Sequence, residues 1–297
     1  MLYTLRKMLF ISTITSVMAF NAFAQPTQAK LDISSEDGQN IISAGASVTE
    51  LLFALKAQSQ LVAVDVTSVL PPTLALPKVG YHRALSAEGL LAMHPDLIIG
   101  TDEMGPKPAL EQLKQAGVKV EVVDTSANIT GLKKRIDQIA VLTHTQHNVA
   151  ALKDKIDAQL DALTSNQPST SNEKKKILFL LIHEGRPANV AGSGTTPDAI
   201  ISLAGGINPA ATKLNAYKPL SNEAIIEMQP DIILVSDRSY RQLGGADALL
   251  KALPMLAATP AGKSQKFVTI DGHALVGGLG LKSLSEAQRL NEQLYAE

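Results

Sequence analysis

A sixteen-residue stretch occurs twice in this chain, 135 positions apart. Leu85 to Gly100 (LSAEGLLAMHPDLIIG) aligns without gaps on Leu220 to Val235 (LSNEAIIEMQPDIILV), with seven identities. A period this long is too large for a solenoid unit, so it signals two lobes of similar build. Each copy has a mechanical sense. Ser86 and Ser221 suit N-caps of a short helix. Pro95 and Pro230 end that helix, and Asp96 and Asp231 turn the chain into a buried strand. Glu88 and Glu223 fall in the first helical turn and have two readings. Either they complement the helix dipole, or they are twin acidic docking points for a two-fold symmetric partner.

Around each copy, short apolar strands alternate with helices. Ile41 to Ala44, Leu61 to Val64, Leu97 to Ile99 and Lys119 to Val123 read as strands. Helices are expected over Val48 to Leu55, Ser86 to Met93 and Ala109 to Ala116. Such alternation implies a parallel sheet covered by helices. From Leu132 to Leu163 the chain has neither Gly nor Pro, and its apolar residues recur at helical spacing. A continuous helix there would be a rod of roughly 45–50 Å, best explained as a spine between lobes. Strands and helices resume at Ile177. The expected fold is therefore α/β: two similar Rossmann-like lobes, 40–127 and 167–297, joined by a single long α-helix within 128–166, with a ligand cleft between them.

The first residues bear on location. Arg6 and Lys7 precede an apolar run from Leu9 to Phe20 and the small-x-small triplet Ala22-Phe23-Ala24. This is the pattern of a secretory signal peptide, residues 1–24, cleaved after Ala24. The run is too short to span a bilayer, which takes about 20 residues. A flexible N-terminal tail, 25–39, follows. With no Cys in the chain there is no site for a lipid anchor, so the mature protein is expected to be periplasmic, untethered and free of disulfides. Without Arg6 and Lys7 the balance is 25 basic against 28 acidic residues, a net −3, and no basic excess argues for nucleic acid. Neither a Gly-x-Ser-x-Gly elbow nor a phosphate-binding glycine loop is present, which argues against an enzyme or ATPase.

Val79-Gly80-Tyr81-His82-Arg83-Ala84-Leu85-Ser86-Ala87-Glu88-Gly89, with Ala191-Gly192 and Leu203-Ala204-Gly205-Gly206, resembles the bacterial periplasmic haem-binding proteins of ABC importers. Ala44-Gly45, the expected spine and the repeat resemble the wider class of helical-spine metal-chelate binders, which includes cobalamin and ferric-siderophore carriers. The resemblance implies that Tyr81 is the axial ligand of haem iron, with haem b as transported ligand. A hard phenolate oxygen suits hard ferric iron. A phenol near pKa 10 needs help to ionise, and Arg83, two residues on, falls on the same side of an extended loop. His82 would then face away, toward solvent.

His183 follows the strand Ile177 to Ile182, at the carboxyl end where α/β sheets place ligands. It is a candidate second iron ligand or a contact to a second, stacked haem. Asp65 to Ser68, Thr101 to Pro106, Tyr217 and Leu275 to Gly280 are further strand-end candidates. Arg238 and Arg241 would fork onto haem propionates, or else belong to a solvated basic loop. His94 reads as a helix cap, His144 and His147 as solvated, and His273 carries no assignment. The resemblance also implies partners: a dimeric inner-membrane permease with a cytoplasmic ATPase, and an outer-membrane haem receptor upstream. The carrier itself is expected to be a monomer. The alternative is a cobalamin or ferric-siderophore carrier.

Overall fold

The structure, a computed structural model, describes residues 38–170, 173–182 and 187–295. The expected leader, its cleavage point and His183 lie outside the described residues. In the first lobe the chain runs β1 (Ile41–Ala44), α1 (Ala46–Ala54), β2 (Leu61–Val64), α2 (Ala87–Leu91), β3 (Leu97–Gly100), α3 (Lys107–Gln115) and β4 (Lys119–Val122). All neighbouring strands are parallel, in the order β2-β1-β3-β4. Alternate strand residues point to opposite faces. Ile42, Val62 and Ile98 therefore pack under Leu85, Leu90 and Leu113 on one side. Ile41, Leu61 and Ile99 meet Leu51, Leu52 and the linker helices on the other.

The linker departs from the expected single rod. It is two helices, α4 (Ile129–Leu142) and α5 (Val149–Ser165). Lys133 pairs with Asp157 at 2.5 Å and Lys153 with Asp137 at 2.6 Å, so the helices run antiparallel. The break lies at Thr143-His144-Thr145. Thr143 Oγ1 donates back to the Ile139 carbonyl at 2.8 Å, a bond that competes with the helix ladder. His144 then takes φ 57, which no helix continues. The first lobe holds the turn from outside, through Gln60 Nε2 on the Thr143 carbonyl and Asn148 Nδ2 on the Leu55 carbonyl. Only α5, about 25 Å long at 1.5 Å per residue, is left to cross between lobes.

The second lobe runs β5 (Ile177–Leu181), β6 (Asn189–Ala191), α6 (Thr196–Leu203), β7 (Tyr217–Pro219), α7 (Asn222–Met228), β8 (Ile232–Ser236), α8 (Asp237–Leu243), α9 (Ala246–Ala252), α10 (Pro260–Lys263), β9 (Phe267–Ile270) and α11 (Leu281–Tyr295). Its sheet order is β7-β6-β5-β8-β9. β5, β8 and β9 are parallel, but β6 and β7 are antiparallel additions at one edge, so the lobes are similar rather than equivalent. No helix among the described residues is long and apolar enough to cross a membrane.

The repeat is reproduced atom by atom. Ser86 Oγ accepts from the Gly89 N–H, and Ser221 Oγ from the Ala224 N–H. His94 and Gln229 close α2 and α7 at φ 49 and 46. Asp96 accepts the N–H of Asn40, just before β1, and Asp231 that of Lys176, just before β5, both at 2.8 Å. The repeated Asp thus ties each helix–strand unit to the strand beside it.

The chain end returns to the first lobe. α11 packs on both α6 and α1. Glu50 of α1 accepts the Leu281 and Lys282 N–H groups, at 2.6 and 2.9 Å, capping α11 across the molecule. Buried Arg135 of α4 donates to the carbonyls of Asp124 and Leu279. Gly278 sits at φ 85, and a Cβ there would lie 2.5 Å from the Thr125 carbonyl oxygen, so only glycine admits this approach.

Candidate functional site

The Tyr81 loop is laid along the end of β2. Val64 N–H donates to the Pro77 carbonyl, Val79 N–H to that of Val64, and Val66 N–H to that of Gly80. Gly80, at φ 92, releases the chain from this extension into a turn, which the Ala84 N–H closes on the Tyr81 carbonyl at 2.8 Å. The turn is locked to the loop after β3: Gly105 N–H donates to the His82 carbonyl, and Leu85 N–H to that of Gly105. From this fixed backbone the Tyr81 ring stands 44 % exposed, at the carboxyl end of the first sheet.

His82 is buried, at 1 % exposure, which overturns its expected position in solvent. Alternation of sides holds for extended chain, and residues 82–84 form a turn. The His82 ring meets that of Tyr81 edge-on, centroids 4.4 Å apart. Its Nδ1 lies 3.0 Å from Asp65 Oδ2, and its Nε2 3.5 Å from Glu103 Oε2. Asp65, fully buried, also accepts from Thr67 and Ser68 hydroxyls, and Ser68 leads on through Thr49 to Ser43 on β1. Burial opposes a charge on His82, but the hydrogen bond to Asp65 and the nearby Glu103 carboxylate outweigh it and raise its pKa. The same network lowers Asp65, against burial, and Glu103, where the His82 ring is the largest cause.

Arg83 pairs with Glu103. Among the described residues, no hydrogen bond joins Arg83 to Tyr81. Glu103, on the loop after β3, is the residue the sequence reasoning passed over. It lay inside the strand-end range Thr101 to Pro106, but nothing in the sequence paired it with Arg83 or His82.

Tyr217 comes from the second lobe. At the start of β7 its ring stacks edge-on against Phe179, centroids 6.5 Å apart. Burial pushes its phenol well above the usual range, the Glu103 charge adds to this and Arg83 opposes it. The Glu103 and Arg83 charges thus act on Tyr217 from the other lobe. Arg238 and Arg241 are exposed on α8, just past β8; Arg241 holds Asp237 at 2.8 Å. Glu88 and Glu223 are exposed in the first turns of α2 and α7. His273 pairs with Asp271 at 2.8 Å. A separate groove of about 740 Å³ between α1, α5 and α11, lined by Lys56, Leu152, Lys155 and Ile156, contains none of the candidate residues.

The profile of the periplasmic binding protein family matches residues 41–274. The chain belongs to this family. Among solved structures of such binding proteins, it is similar to the periplasmic haem-binding protein HutB of Vibrio cholerae. The two are 58 % identical with a TM-score of 0.82, over 86 % of this chain and 99 % of HutB. The haem-binding protein BhuT, solved in complex with two haems, is 36 % identical at a TM-score of 0.76, over 86 % and 99 % of the two chains. A vitamin B12-binding protein of Vibrio parahaemolyticus is 26 % identical over 70 % of this chain and 74 % of its own length.

Proposed function

We propose that this chain is a periplasmic haem-binding protein that captures haem between its lobes and delivers it to an inner-membrane ABC importer. The observation that carries the reading is Tyr81: an exposed phenol on a hydrogen-bonded loop at the strand ends of the first lobe. A site of this kind presents a hard oxygen ligand while apolar walls cover a flat porphyrin. The likeness to HutB and BhuT, through most of the chain, supports haem as the cargo.

In this reading Tyr81 ligates the iron, and Tyr217 lines the opposite wall. Arg83 steadies the phenolate, and Arg238 and Arg241 supply cations for the propionates. His183 is a second ligand or touches a second haem. Glu88 and Glu223 dock on a dimeric permease driven by a cytoplasmic ATPase, and an outer-membrane receptor supplies the haem. The carrier does no chemistry of its own. Residues 1–24 direct export and are removed after Ala24.

Titration of the mature protein with ferric haem is expected to give a saturable Soret band that Tyr81→Ala abolishes or shifts. His183→Ala changes the end-point if two haems bind, and the spectrum alone if it ligates the iron. The B12-binding relatives favour cobalamin as the second reading. Saturable cobalamin binding with no Tyr81-dependent haem band would establish it instead.

A further inference from the structure

We propose that this chain has a second small-molecule site, beside the linker helices and apart from the Tyr81 loop, which takes a single-chain anionic lipid. Two adjoining hollows make the site. A polar pocket of about 350 Å³ is lined by residues that include Lys56, Gln60, His144, His147 and Asn148. The groove of about 740 Å³ between α1, α5 and α11 adjoins it, since Lys56 and Asn148 line both. Gln60 directly precedes β2. The polar pocket therefore lies at the amino ends of the first sheet, the reverse of the end that carries Tyr81, and its ligand is independent of the cargo.

The groove is built for a chain. Its floor is buried Leu152 and Ile156, with Leu281 of α11 beside them. Along α5, Ala151, Lys155, Ala158 and Ala162 line it at helical spacing, all exposed. The short alanines leave a trough of about 17 Å at 1.5 Å per residue, room for an extended dodecanoyl chain. The volume is that of a small-ligand site. Charge in the two hollows is one-sided. Neither is lined by any Asp or Glu, in a chain with more acidic than basic residues. Nearby Lys133 and Lys153 are paired with Asp157 and Asp137. Lys56 and Lys155 have no carboxylate partner among the described residues. An anion beside Lys56 with its chain running toward Ala162 uses pocket and trough together; a simple anion or a plain hydrocarbon uses only one. Gln60 adds a further requirement. It is 7 % exposed, its Nε2 is spent on the Thr143 carbonyl, and its Oε1 has no donor among the described residues. A head group with hydroxyls beside its phosphate supplies one.

The test is calorimetric titration of the mature protein, free of haem, with dodecanoyl lysophosphatidylglycerol below its micelle concentration. Saturable binding of one lipid per chain is expected. Glycerol phosphate has the head without the chain, and monododecanoylglycerol the chain without the anion. Each should bind roughly tenfold more weakly or worse, as should the octanoyl lipid. Lys56→Glu should weaken the lipid about tenfold by turning attraction into repulsion, and Ala158→Trp should weaken it by filling the trough. Both positions are exposed, so both variants should fold, as circular dichroism checks. Equal binding of the uncharged monoglyceride, or a folded variant pair that binds the lipid as wild type does, would overturn the site. So would a dimer in sedimentation that either variant breaks, which would give the groove to a second copy. Because the titration contains no haem, its failure and the failure of the haem reading are separate results.

Discussion

Tyr81 and its two neighbours show how far a short string can be read. Gly80 and Tyr81 suggested a ligand projected from a loop, and the structure places that ring exposed at the strand ends. The directions of His82 and Arg83 could not be had from alternation, because the chain turns between Tyr81 and Ala84. Nor does Glu103 announce itself; its importance comes from a contact across 20 residues. His82→Leu would leave the Asp65 carboxylate buried without its cation. It is expected to cost about 3 kcal/mol, as one-sided removal of a buried pair does, measured by urea denaturation near pH 6. Because the His82 pKa is raised above 6.5, its contribution is fully present below that value and fades as pH rises through the folded pKa. Asp65, lowered below 3.8, contributes above that value and fades as pH falls through its folded pKa. The cost of His82→Leu should therefore shrink on both sides of this window.

At the scale of elements, the repeat was the most legible feature, since its caps, stops and strand entries are local chemistry. Ser86 and Ser221 cap as expected, and Asp96 and Asp231 add a tie that the sequence did not specify. The linker was harder. Absence of Gly and Pro permits a continuous helix without requiring one, and the Thr143 hydroxyl with outside hydrogen bonds stops it. The edge strands β6 and β7, three residues each, are too short to carry a period. The matched first turns of α2 and α7 bear the docking proposal. Glu88→Lys with Glu223→Lys should lower haem-stimulated ATP hydrolysis by the reconstituted importer roughly tenfold, because both acidic contacts become repulsive toward a basic partner. The haem titration of the free carrier should not move. Unchanged stimulation would return both residues to serving the helix dipole alone.

Across the whole molecule, one continuous core runs from Leu51 and Leu52 through Ile136, Ile156 and Phe179 to Leu284 and Leu290. Glu50 sits where this core joins α1 to α11. Burial raises its pKa from 4.5 to about 7, against the backbone N–H groups of Lys282 and Leu281 and the charges of Arg135 and Lys282. The folded protein therefore keeps a proton that the unfolded chain has lost between these values. Stability from this group is fully present below pH 4.5 and lost as pH rises through 7, up to about 3 kcal/mol. Glu50→Gln should flatten that part of the stability–pH curve, measured by denaturant midpoints from pH 4.5 to 8; an unaltered slope would show that Glu50 does not carry it.

The cross-molecular cap on α11 also bears on how cargo leaves. A helix that starts on a carboxylate of the opposite half and rests on both cannot follow either one alone, so wide gaping would strip its first turn of acceptors. For a carrier as proposed above, unloading would then call for an outside agent to wrench the halves apart, and the work of release would fall on the importer that receives the haem.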